Sequence, residues 1–262
     1  MNTHVSLISL LLLISLAFRQ DQPPKLQLFL LIGQSNMAGR GVPEADDQQP
    51  HPRVWMLTKA LSWVPARDPM HFDKPAVIGV GPGLAFAKRL AEAYPKMNIG
   101  LVPCAVGGSG IDVWQPGAYY DPTHSYPYDD ALRRAKKALE NGQLAGFLWH
   151  QGESDSEPGK ADVYDQKLTE LVQRFRKDLN APNVPFVAGT LGDFVVNRNP
   201  NARTVNEALQ RATKHISNSY CVVSAGLTDK GDSTHFDTRS ARTLGQRYAD
   251  MFIQKKLLTG KP

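Results

Sequence analysis

The chain has 262 residues, 42% of them hydrophobic, enough to bury one substantial core, and that length suits one large domain better than two. Its formal charge of +5 comes from 30 Lys and Arg against 25 Asp and Glu, dispersed along the helical segments. No basic stripe with interleaved aromatics occurs, so the usual footprint of nucleic-acid binding is excluded, and with no Asn-x-Ser/Thr triplet N-glycosylation is not expected.

Residues 5–18 are apolar apart from small serines, and a polar stretch follows from Arg19. A bilayer core of roughly 30 Å needs about 20 apolar residues, so this run fits a secretory signal peptide over 1–22 better than a membrane span. Only the α-amino group and His4 supply positive charge ahead of it, and an uncleaved N-terminal anchor is the alternative. The expectation is a secreted protein, without stable membrane insertion after cleavage, whose single domain covers 23–262. Cys104 and Cys221 each lie in a separate apolar stretch and read as two unpaired buried thiols, a disulfide being the alternative that export permits.

Beyond the leader, nearly continuous apolar runs at 26–32, 99–106, 144–150, 185–191 and 220–227 read as strands covered on both faces. They alternate with one-sided helical patterns at 84–94, 129–140, 161–179, 202–215 and 240–257. A βαβ series of this kind predicts a three-layer αβα sandwich around a parallel five-stranded sheet, with ligands collecting beyond the carboxyl ends of the strands. The Gly-, Pro- and aromatic-rich segments 39–83 and 107–128 start at those ends and are expected to wall a site.

Three of the strand ends carry unusual polar blocks: GQSNM at 33–37, VGGSGIDVW at 106–114 and WHQGESD at 149–155. A fourth, DKGDSTHFD at 229–237, follows the last strand, and all four are expected to meet at one edge of the sheet. Ser35 is either a helix cap or a nucleophile, and the second role needs a histidine oriented by a carboxylate. Asp232 and His235, three residues apart, supply that pair; the competing role of their block is to start the last helix. Acyl transfer also needs donors for a developing oxyanion. The candidates are the backbone N–H of Ser35, the backbone N–H of Gly108 and the side-chain amide of Gln151, although the glycines at 107, 108 and 110 equally suit a tight turn.

These blocks together resemble the SGNH hydrolases, and within them the branch of acetylxylan esterases, sialate O-acetylesterases and plant carbohydrate esterases. The resemblance runs from about Leu26 to Leu257. It implies a flavodoxin-like sheet, Ser35 as nucleophile, His235 as base, Asp232 as its orienting acid, and an oxyanion hole from Ser35, Gly108 and Gln151. Two departures from the wider superfamily, GQSN in place of Gly-Asp-Ser-Leu and glutamine in place of an asparagine donor, fit the carbohydrate-esterase branch.

His150, Glu153 and Asp155 crowd one block, but they lack zinc-site spacing, so no metal or other cofactor is expected. His150 and Glu153 are expected instead to hold their loop so that Gln151 faces the acyl oxygen. Trp114, with Tyr119, Tyr120, Tyr126 and Tyr128, lies where sugar rings could stack, core packing being the competing role; Met37 is expected to pack inward. The expected function is removal of acetyl groups from a carbohydrate through an acyl-enzyme. Turnover of other small acyl esters, by hydrolysis or acyl transfer, and carbohydrate binding without turnover are the alternatives.

Overall fold

The computed structural model describes residues 24–258, so the expected leader lies outside the described residues. Strand β1 (Leu26–Gly33) is buried at every position except Gln27. Successive side chains on a strand point to opposite faces, and here Leu26, Leu28, Leu30 and Ile32 enter one core while Phe29 and Leu31 enter another. A strand buried on both faces shows no polar alternation, which is why its sequence reads as an unbroken apolar run.

The chain continues through α1 (Ser35–Ala38), β2 (Val54–Leu57), β3 (Trp63–Pro65), α2 (Pro82–Ala93), β4 (Ile99–Pro103), α3 (Pro127–Ala138), β5 (Gly142–His150), α4 (Tyr164–Asp178), β6 (Phe186–Gly189), α5 (Asp193–Arg198), α6 (Asn201–His215), β7 (Ser219–Val222) and α7 (Thr238–Gln254). Sheet order is β3-β2-β4-β1-β5-β6-β7. The five expected strands lie side by side and parallel as β4-β1-β5-β6-β7, which is the flavodoxin-like order 2-1-3-4-5.

Among the described residues the sheet has seven strands, however, because β2 pairs parallel to β4 and β3 pairs antiparallel to β2. Both fall inside the segment expected to be irregular. Strands of four and three residues are too short to show a period; β2 forms because the free edge of β4 offers it hydrogen-bonding partners, and β3 forms on the edge that β2 then presents. Helix α5, six residues long, is likewise too short for its period to show in the sequence.

Side chains of α3, α4 and α6 fill the first core, and those of α2 and α7 the second. In the second, the rings of Phe29, Phe86 and Phe252 meet edge to face at 4.9, 5.4 and 5.6 Å, and Met37 packs there as expected. Cys104 and Cys221 are both free thiols. Among the described residues no helix is long and apolar enough to cross a membrane.

Candidate active site

The carboxyl end of β1 passes so close to β5 that only glycine fits. Gly33 has φ 122°, and a Cβ there would lie 2.2 Å from the carbonyl oxygen of His150. The next N–H, of Gln34, donates to that same carbonyl at 2.9 Å. Ser35 then opens α1 as its first helical residue, and the preceding Gln34 makes no side-chain cap. The serine hydroxyl is not capping a helix: its Oγ lies 3.0 Å from Nε2 of His235.

His235 reaches it from the loop between β7 and α7, a tight structure organised by two aspartates. Asp229 accepts the N–H groups of Gly231 and Ser233 at 2.9 and 2.7 Å, and Ser233 takes the left-handed φ of 52° that this turn requires. Asp232 Oδ1 accepts the N–H groups of Thr234 and His235 at 3.0 and 2.8 Å, and its Oδ2 meets His235 Nδ1 at 2.8 Å. The capping role belongs further on, to Asp237, which accepts Ser240 N–H at 2.7 Å and starts α7.

Partial burial pushes the Asp232 carboxyl up, but the hydrogen bonds from the His235 ring and from the two N–H groups outweigh it, leaving the pKa at about 2. A carboxylate can only accept, so Nδ1 carries the proton and Nε2 is left as the acceptor for the Ser35 hydroxyl. Burial lowers the His235 pKa, against the pull of Asp232, and the ring is therefore neutral and able to take a proton at pH 7.

Two backbone N–H groups of these blocks, those of Ser35 and Gly108, have no acceptor among the described residues. Gly108 has φ 82°, and its neighbour is pinned from a distance. Asp73 Oδ2 accepts the N–H of Gly107 at 2.7 Å and Arg40 Nη2 at 2.9 Å, in an ion pair whose side chains are 4% and 2% exposed. On the other side Ser154 Oγ donates to the Gly108 carbonyl at 2.9 Å. Sequence reading missed Asp73, Arg40 and Ser154, since a partner 34 residues away has no local signature.

The block after β5 is arranged differently from expectation. The Gln151 side chain is buried, and its Nε2 faces Asp155 Oδ2 at 2.5 Å and both Gln34 Oε1 and Ser109 O at 3.1 Å. Its two amide hydrogens already have three acceptors, so it is not free to reach outward. Glu153 acts on Asn36, not on Gln151: its Oε1 accepts Asn36 Nδ2 at 2.5 Å. Asn36 also donates to Thr234 O and accepts Phe236 N–H, each at 3.0 Å, and so ties the helix of Ser35 to the loop of His235. Burial raises the Glu153 pKa to about 7, opposed by the Asn36 hydrogen bond. The His150 ring is wholly buried, which lowers its pKa to about 3, and it packs edge to face against Phe236 at 5.5 Å. It supports the His235 loop by packing and does not aim Gln151.

Trp114 is fully buried, donates through Nε1 to Ser109 Oγ at 2.9 Å and packs against Trp149. Of its two expected roles the structure shows the packing one, anchoring the glycine loop from inside, and its assignment as a substrate-binding residue is corrected; Tyr128 is likewise buried. Tyr119 and Tyr126 remain exposed, with rings 5.2 Å apart.

Fold and site together define an α/β protein of SGNH-hydrolase type, with its polar blocks at the topological switch point beside β1. A family model described as carbohydrate esterase, sialic acid-specific acetylesterase matches residues 25–254, and the chain belongs to that family. It is 33% identical over 256 residues to a probable carbohydrate esterase of Arabidopsis thaliana, spanning 89% of this chain and 93% of that one. The crystal structure of that Arabidopsis thaliana protein superposes with a TM-score of 0.79, covering 88% of this chain and 99% of the other at 31% identity. A probable 9-O-acetyl-N-acetylneuraminic acid deacetylase of Escherichia coli K12 is 27% identical over 60% of this chain and 62% of its own. The NanS crystal structure shares the fold, with a TM-score of 0.72 and 21% identity over 90% of this chain and 98% of that chain.

Proposed function

We propose that this protein is a serine esterase that removes O-acetyl groups from carbohydrates, with Ser35 as nucleophile, His235 as general base and acid, and Asp232 as the carboxylate that orients it. The observation that carries the reading is the continuous line from Ser35 Oγ to His235 Nε2 at 3.0 Å and from Nδ1 to Asp232 Oδ2 at 2.8 Å. Nε2 takes the hydroxyl proton as Oγ attacks the ester carbonyl, and the N–H groups of Ser35 and Gly108 receive the negative oxygen. His235 then protonates the departing sugar oxygen, leaving an acetyl-serine. Water attacks that ester through the same base and releases acetate. Family membership supports the acetylated-carbohydrate substrate class, and the exposed Tyr119 and Tyr126 pair offers apolar ring faces for a sugar.

The test is hydrolysis of p-nitrophenyl acetate and acetate release from acetylated xylan, pectin, chitin fragments and sialic acids. Ser35→Ala is expected to lower kcat by about 10⁴-fold or more. Oligosaccharide binding unchanged in Ser35→Ala, with no serine-dependent acetate release by the parent protein, would establish a carbohydrate-binding protein instead. The apolar leader supports export, which recovery from culture medium of a chain cut near residue 22 would demonstrate.

A further inference from the structure

We infer that the third oxyanion donor is the side-chain amide of Gln34, and that Gln151 is the residue that aims it. This rests on the reading that Ser35 attacks an acyl carbonyl. Gln151 is fixed in one orientation: Nε2 faces the oxygens of Asp155, Ser109 and Gln34, while Oε1 accepts the Tyr164 hydroxyl at 2.8 Å. Turning the amide over would set oxygen against oxygen at Asp155 and Ser109. The fixed nitrogen therefore donates to Gln34 Oε1, and the backbone N–H of Ser154 approaches that same oxygen at 3.3 Å.

Two donors converging on one oxygen fix Gln34 in turn, because a reversed amide would meet both with its own N–H groups. Its Nε2 must lie on the opposite arm. There it has no acceptor among the described residues. Residue 34 as a whole is only 3% exposed, beside a Ser35 that is 5% exposed. Gln34 immediately precedes Ser35, and the Ser154 that holds its oxygen also holds the Gly108 carbonyl at 2.9 Å. Ser154 thus links the Gln34 amide to the loop of Gly108, and the chain itself links it to Ser35. An N–H₂ held rigid by a buried network and left without an acceptor is a preorganised donor for charge that appears only during the reaction.

Gln34→Glu tests this with little change of shape, since one carboxylate oxygen still accepts from Gln151 and Ser154 while the other replaces the donor. With p-nitrophenyl acetate at pH 8, kcat is expected to fall about 100- to 1000-fold, with KM within about threefold of the parent value. The deficit should shrink as pH is lowered, because the protonated carboxyl again offers a hydrogen. Gln34→Met, which removes the donor without adding charge, is expected to lose about 100-fold and keeps the test open where Gln34→Glu does not fold. If either folded variant retains parental kcat while Ser35→Ala is inert, Gln34 is not a donor and the esterase reading stands. If hydrolysis by the parent protein does not depend on Ser35, both fall together.

Discussion

Glu153→Gln isolates a buried ionisation. The Glu153 carboxyl is held by Asn36 on one oxygen, and the other, Oε2, is buried with no partner among the described residues. Burial lifts its pKa from 4.5 to about 7. A carboxyl with a raised folded-state pKa keeps a proton that the unfolded chain gives up. Its contribution to stability is therefore complete below pH 4.5 and is lost as pH rises through about 7. At about 1.4 kcal/mol per pH unit, that interval corresponds to about 3 kcal/mol. Glutamine cannot ionise and has no such loss. At acid pH the variant is expected to be the less stable by about 1–2 kcal/mol, because its N–H₂ leaves two donors unpartnered where the protonated carboxyl leaves one. Between pH 4.5 and pH 8 the difference should move by about 3 kcal/mol in favour of glutamine. Guanidinium unfolding of both proteins at the two pH values measures it. Stability curves that stay parallel within about 0.5 kcal/mol would refute the buried, proton-holding carboxyl.

Three further outcomes follow from the geometry. The acid limb of kcat/KM for an acetate ester should have its midpoint below 6.5, since burial lowers the His235 pKa and only the neutral ring accepts the serine proton; a flat profile between pH 5 and 8 contradicts the role given to this histidine. Gly108→Ala places a Cβ 2.9 Å from the Tyr120 hydroxyl at φ 82°, so a strain of about 1–2 kcal/mol should appear in thermal unfolding, with a fall in kcat as the N–H is displaced. Trp114→Ala should destabilise the fold by about 3–5 kcal/mol without altering the ranking of acetylated sugars as substrates, whereas a changed ranking at native stability would return Trp114 to the sugar site.

The alternation of apolar runs with one-sided helical patterns was enough, by itself, to determine the layered α/β fold and the five parallel strands, because periodicity records which faces are buried. It also placed Ser35, Asp232 and His235 at strand ends that converge, since the polar blocks interrupting those runs are conspicuous. Asn36 stood in plain view beside Ser35, yet its tie to Glu153, 117 residues away, could not be read. Tertiary structure alone decided which polar group meets which. It engaged the amide of Gln151 inside the protein and left that of Gln34 without an acceptor among the described residues, turned Glu153 toward Asn36, sank Trp114 into the core, and brought Asp73 under the glycine loop. The physical reason is that a side chain's donors and acceptors are indifferent to sequence distance: the same amide binds a reaction intermediate or a buried carboxylate according to what folding sets against it.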